Sequence, residues 1–108
     1  MTTSFEHEPA KKIIVRIDPE IAEIVPTFLG NTNRNIELMR SALEANDLNS
    51  VGQSAHKLKG AANLYGFITL SEYAGSLEQA AMNKDTESAC QWMTKIILCM
   101  AQIEIKYE

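Results

Sequence analysis

The chain reads as all-α: an antiparallel up-and-down four-helix bundle with a short extra N-terminal helix and arm. Three observations point there. Apolar residues recur at helical spacing along most of the chain. Short breaks rich in Asn, Asp and Gly separate stretches of similar length. No stretch alternates with period two for long enough to build a sheet. A length of 108 residues, 45% of them hydrophobic, suits one domain with its own core.

The elements follow in order. Residues 1–17 read as an arm, polar to residue 10 and able to lie extended over the bundle from 12 to 17; residues 18–108 read as the bundle domain. Asp18-Pro19 marks a helix start, with Asp as N-cap and Pro at the first helical position. Pro26 interrupts the run Ile21, Ile24, Val25, Phe28, so a short helix is expected near 19–25 and a long one near 26–45. Asn46-Asp47 is a break and a cap, and a helix over 48–65 follows. Gly66 stands where a left-handed residue ends it. Thr69-Leu-Ser-Glu72 has the form of a capping box opening the next helix, which carries Leu70, Tyr73, Ala74, Leu77 and Ala81 on one face. Asn83-Lys84-Asp85 is the next turn. The last helix is expected from Thr86 nearly to the end, with Ala89, Met93, Ile96, Met100, Ile103 and Tyr107 as its seam. Trp92 and the methionines read as core or groove filler.

Composition removes several classes. Ten basic against fourteen acidic residues give a net charge of −4, the wrong sign for a free-standing nucleic-acid binder. No segment has the uncharged apolar length of a membrane span. No signal peptide is expected, because Glu6, His7, Glu8, Lys11 and Lys12 interrupt any apolar stretch. Cys90 and Cys99 lie nine residues apart on one helix and face opposite sides, so they cannot bridge. Two reduced thiols fit a cytoplasmic protein. Neither Cys/His spacing nor a Gly-rich phosphate loop indicates a metal or nucleotide site, so no cofactor is expected.

The helix over 48–65 carries the chemistry. On a wheel with His56 at zero, Val51, Ala55, Leu58, Ala62 and Tyr65 fall between roughly 180° and 260°, the core stripe. Gly52, Gln53, Lys59, Gly60 and Asn63 fall within about 60° of His56. Periodicity therefore turns the imidazole to solvent. A lone exposed histidine is ordinarily plain surface, and His7 is read that way. His56 differs in its neighbours. Gly52 and Gly60 each cost helix stability, about 0.5–1 kcal/mol relative to Ala, and leave room for something large to approach. Lys59, one turn on, can reach a group attached to the ring. The next helix offers Gly75 and Glu78 off its own core stripe. The Glu78 carboxylate can accept from the imidazole Nδ1–H and leave Nε2 as a free nucleophile, or be no more than a solvated surface acid.

His56-Lys57-Leu58-Lys59-Gly60, with Gly66 ten residues after the histidine, resembles the H-x-L-K-G-x5-G signature of the histidine-containing phosphotransfer (HPt) domain family. The resemblance extends outward to Asp18-Pro-Glu, Ile24-Val-Pro-Thr-Phe-Leu, Asp47 and Leu77-Glu78. It implies that His56 accepts a phosphoryl group on a ring nitrogen, that Lys59 stabilises its charge, and that Gly60 makes room. The implied partners are response-regulator receiver domains and a sensor histidine kinase. A receiver aspartate donates or accepts the phosphoryl group, and Mg2+ is expected on that partner only. Gly52, Gln53, Lys57, Gly60, Asn63 and Gly75 are the expected docking surface. Lys57 departs from the small or hydroxylated residue frequent after the histidine, and an effect on partner preference is expected. A single exposed site argues for a monomer.

Other readings stay open at this stage. An adaptor bundle docking receiver or other signalling domains needs the groove but not His56. A plain structural bundle makes the glycines accidents. A hydrolase using His56 as general base lacks a nucleophile, since Ser54 lies about 160° around the helix.

Overall fold

The computed structural model describes residues 12–108; the readings placed on residues 1–11, the outer arm and His7, lie outside the described residues. In chain order come strand β1 (Ile13–Ile17), a 3-10 turn (Pro19–Ile21), helices α1 (Val25–Glu44), α2 (Leu48–Leu64), α3 (Ile68–Met82) and α4 (Thr86–Gln102), and strand β2 (Ile103–Tyr107). The four helices form the expected bundle. α2 packs most extensively on α3, then α3 on α4 and α1 on α2, while α1 meets α4 over a short stretch.

Three connections of like build join the helices. Each places its middle residue in the left-handed region: Asn46 at φ 60°, Gly66 at φ 90° and Lys84 at φ 58°. Each returns the same pair of hydrogen bonds to the helix it ends. Asn46 N–H donates to Leu43 and Asp47 N–H to Ala42; Gly66 and Phe67 donate to Asn63 and Ala62; Lys84 and Asp85 donate to Ala81 and Ala80. These bonds satisfy carbonyls that a helix end otherwise leaves without partners. Asp47 and Asp85 then cap the following helices, accepting from the backbone N–H of Ser50 and Ser88, both at 3.1 Å.

The middle connection corrects the capping-box expectation. α3 starts at Ile68 with Phe67 as N-cap and no side-chain cap, so Thr69 already lies inside the helix. Phe67 is fully buried and packs on Phe28, ring centroids 5.0 Å apart. Driving this aromatic ring into the core outweighs what a polar cap two residues later offers. Near the N-terminus the helical reading shortens to the Pro19–Ile21 turn, capped by Asp18, and Pro26 lies in the first turn of α1, where its missing N–H costs nothing.

The expectation that no sheet forms is overturned. β1 and β2 pair in parallel, Ile13 opposite Ile103 through Ile17 opposite Tyr107. The intervening bundle supplies the long crossover that a parallel pair needs. Along β1, Val15 and Ile17 are buried and Ile14 and Arg16 exposed, so five residues suffice for a half-buried strand. Ile103 and Ile105 pack on the core from the partner strand. Consequently α4 ends at Gln102, and Ile103 and Tyr107 leave its seam. Their spacing of four satisfies both a helical and a two-residue period. The pairing with β1 decides between them. Outside the sheet, Arg16 pairs with Glu108, and Lys12 with Glu104 at 3.1 Å.

The core runs between the helices as the periodicity requires. Val51, Ala55, Leu58 and Ala62 of α2 are buried, with Met39, Leu70, Leu77, Ala89 and Ile96 around them. Buried Thr32 donates its hydroxyl to the Phe28 carbonyl at 2.9 Å. Trp92 is half-buried on Tyr73, and Cys99 is buried while Cys90 is exposed. No described helix is long and apolar enough to cross a membrane.

Two outcomes follow for stability. Gly66→Ala forces a Cβ into the left-handed region and lowers unfolding free energy by about 1–2 kcal/mol in urea titration, while Lys84→Gly at the equivalent place does not lower it. The Asp47 and Asp85 carboxyls are held below the ordinary 3.8 by hydrogen bonds from the Ser50 and Ser88 side chains, then from their backbones. The folded state thus binds these protons less readily than the unfolded one. Their stabilisation is complete above the ordinary carboxylate range and is lost as pH falls through the lowered values. Replacing both with Asn keeps the caps and removes the titration, so the fall of the melting temperature below about pH 4 becomes shallower.

Candidate functional site

α2 exists because Asp47 caps it and its apolar stripe docks on the core, and that placement turns His56 outward. The His56 side chain is 70% exposed. Its Nδ1 lies 2.9 Å from Oε2 of Glu78 on α3, whose side chain is 19% exposed. An ionised carboxylate only accepts, so Nδ1 carries a proton in this pair and the lone pair of a neutral ring sits on Nε2. The imidazole is thereby fixed in orientation, with its two nitrogens in different surroundings.

An antiparallel register between α2 and α3 assembles the rest. A Cβ on Gly52 would sit 3.5 Å from Cβ of Ala81, so the two helices approach closely there. One turn along, His56 meets Glu78. One turn further, the Lys59 side chain lies across Gly75: Cδ and Cε come within 3.4 and 3.7 Å of where a Gly75 Cβ would be, and Nζ within 4.0 Å. Ser71 donates its hydroxyl to the Lys59 backbone carbonyl at 3.0 Å. Among the three glycines expected to bare the backbone, only Gly60 has nothing within 4 Å of an added Cβ.

A cleft of about 670 Å³ opens beside His56. Gly52, Gln53, Lys57 and Glu78 line it with the histidine, as expected for a docking face. Lys59, Gly60, Asn63 and Gly75 lie outside its lining, toward the other end of α2. Leu48, Asn49, Ala81, Met82 and Lys84 complete the lining and were absent from the sequence-derived set. Met82 is 64% exposed, an apolar side chain at the end of a helix whose Leu70 and Leu77 are buried. That exposure was the available signal, but it becomes visible only when the C-terminal end of α3 is set against the N-terminal end of α2. Lys57 and Lys84 are the cations of the lining, and its one carboxylate, Glu78, is committed to His56. The cleft therefore offers an apolar floor with a basic edge.

Ser54 is half-buried outside this cleft, and its backbone carbonyl accepts from Asn35 Nδ2 at 3.4 Å. It does not stand beside His56 as a nucleophile. Among the described residues no group of three His, Cys, Asp or Glu side chains gathers to hold a metal.

The family model described as Hpt domain matches residues 23–105, most of the chain, and the protein belongs to that family. Hpt domains act in two-component phosphorelays, where they interact with receiver domains and kinases. No curated protein and no solved structure matched the chain.

The tautomer assignment has a direct check. Long-range nitrogen–proton NMR on the neutral ring should show His56 protonated at Nδ1 in the native protein. In Glu78→Ala the assignment shifts toward Nε2–H, with a stability loss of about 0.5–1.5 kcal/mol, the net worth of one hydrogen bond.

Proposed function

We propose that this protein is a phosphoryl carrier in a two-component phosphorelay, with His56 as acceptor and donor. The observation that carries this reading is the exposed ring whose Nδ1 is tied to Glu78 and whose Nε2 is left to face an incoming group. A receiver domain bearing an aspartyl phosphate docks on the α2–α3 face. The Nε2 lone pair attacks phosphorus as the phosphorus–oxygen bond to the aspartate breaks. A phosphorus–nitrogen bond forms and the carboxylate leaves with the bonding pair. Nδ1 keeps its proton, and the positive charge gained by the ring is balanced by Glu78. In the second transfer an aspartate carboxylate of another receiver attacks phosphorus, and the imidazole departs neutral.

Such transfer depends on positioning and charge stabilisation, with little covalent work for the carrier. Lys59 supplies the counter-charge to a group of nearly −2. An exposed pair of this kind contributes about 0.5–1 kcal/mol, enough to bias an equilibrium severalfold. Gly60 leaves approach space on the same face. The basic edge formed by Lys57 and Lys84 complements the acidic pocket that a receiver must present around its aspartate. The divalent metal of the reaction belongs to the receiver, and no cofactor is assigned to this chain. The unpaired thiols Cys90 and Cys99 support a reducing, cytoplasmic setting. One compact site per chain supports a monomer.

His56→Gln tests the reading. Receiver domains charged by a small phosphodonor are mixed with each protein, and acid-labile, base-stable phosphate is followed on the carrier. The native protein takes up phosphate and the variant takes up none, while both retain the same fold. Equal uptake by the two proteins would falsify the assignment; receiver binding without uptake by the native protein would make it an adaptor.

A further inference from the structure

Gly75 has no part in the cleft beside His56, yet its placement is specific. It lies on α3 between Ser71 and Glu78, at helical spacing on the side that faces α2. Glu78 holds the His56 ring and Ser71 holds the Lys59 backbone carbonyl. Between them the Lys59 stem lies over the side of Gly75 where a Cβ would stand, Cδ 3.4 Å, Cε 3.7 Å and Nζ 4.0 Å from that position. Among the described residues that ammonium has no carboxylate within ion-pairing distance: Lys59 takes part in none of the salt bridges. The long side chain is thus laid down but its charge is uncommitted.

We infer that Gly75 is a positioning residue for Lys59: its missing side chain is the seat that keeps the lysine stem against α3, so that the ammonium is ready for a phosphoryl group on His56. The role rests on the phosphoacceptor reading of His56, and it replaces the expectation that Gly75 is bare backbone for a docking partner. A glycine or another small residue is what this position admits, at the usual cost of glycine within a helix. A free lysine stem samples many rotamers, and each transfer would have to order it anew. An added methyl would meet Cδ at 3.4 Å, which is ordinary contact, but a branched or longer side chain occupies the path of the stem itself.

The placement is read first without phosphate. Nuclear Overhauser contacts between the Lys59 δ and ε protons and the Gly75 α protons are expected in the native protein, and their absence overturns the inference. Gly75→Leu, Lys59→Ala and the double variant are then compared for phosphohistidine lifetime and for transfer rate at saturating receiver. Gly75→Leu keeps or raises the melting temperature, because leucine favours the helix, and still shortens the lifetime about two- to fivefold, the worth of one exposed ion pair. Gly75→Ala stays close to native, because its methyl meets the stem at an ordinary contact distance. The double variant is no worse than Lys59→Ala alone, because both changes remove the same interaction. Losses that multiply in the double variant, or a change confined to the receiver concentration needed, make Gly75 a docking residue and overturn the inference. Failure of the native protein to take up phosphate overturns both this role and the phosphoacceptor reading, whereas normal uptake with multiplied losses overturns this role alone.

Discussion

Gly52 against Ala81, His56 against Glu78, and Lys59 against Gly75 set a single antiparallel register between α2 and α3, and the geometry around His56 depends on it. A shift of either helix by one residue rotates its side chains by about 100° and separates all three pairs at once. The small residues at the first pair allow close approach. The acid at the second fixes a tautomer. The glycine at the third leaves space for a lysine stem. Each contact is modest by itself. Their joint effect comes from the packing of α2 on α3, the most extensive between any two elements, which holds the register against thermal sliding.

The ends of the helices serve the same purpose. Each three-residue connection spans 45–47, 65–67 or 83–85, and each reverses the chain with the same left-handed middle residue and paired return hydrogen bonds. A turn of that kind leaves little freedom in where the next helix begins. Gly66 therefore belongs to the phosphotransfer signature through the backbone it permits, ten residues from the chemistry. α1 and α4 pack together only briefly, and the parallel pairing of β1 with β2 ties the segment before α1 to the end of α4.

The site combines exposure with order, two properties that usually oppose each other. An exposed side chain is free to react and free to move. Here the ring is held at one nitrogen in a side chain that is 70% exposed, and the neighbouring lysine lies over Gly75 and takes part in none of the ion pairs among the described residues. The glutamate that orders the ring is itself largely buried, which limits competition from water for that hydrogen bond. Beside the ring, the cleft joins an apolar floor to an edge carrying Lys57 and Lys84.

Periodicity was enough to place the four helices, the core face of α2 and the outward turn of His56, because a helix of known pitch fixes the angle between any two of its residues. The left-handed turn at Gly66 was equally legible, since few residues other than glycine adopt that backbone readily. Contacts between elements were not. Residues 12–17 were expected to be extended, as β1 is, but β2 was not legible because a spacing of four in Ile103 and Tyr107 fits a helix as well as a strand, and only pairing with β1 separates the two. The cap of α3 was misread because burial of Phe67 against Phe28 prevailed over a local polar pattern. Met82, Lys84 and the covering of Gly75 by Lys59 depend on which ends of two helices meet. The sequence alone therefore determined which residues face out along each helix, a property of one dihedral repeat. Tertiary packing decided what each of them faces, because that is set by the distance and register between helices, which no single helix contains.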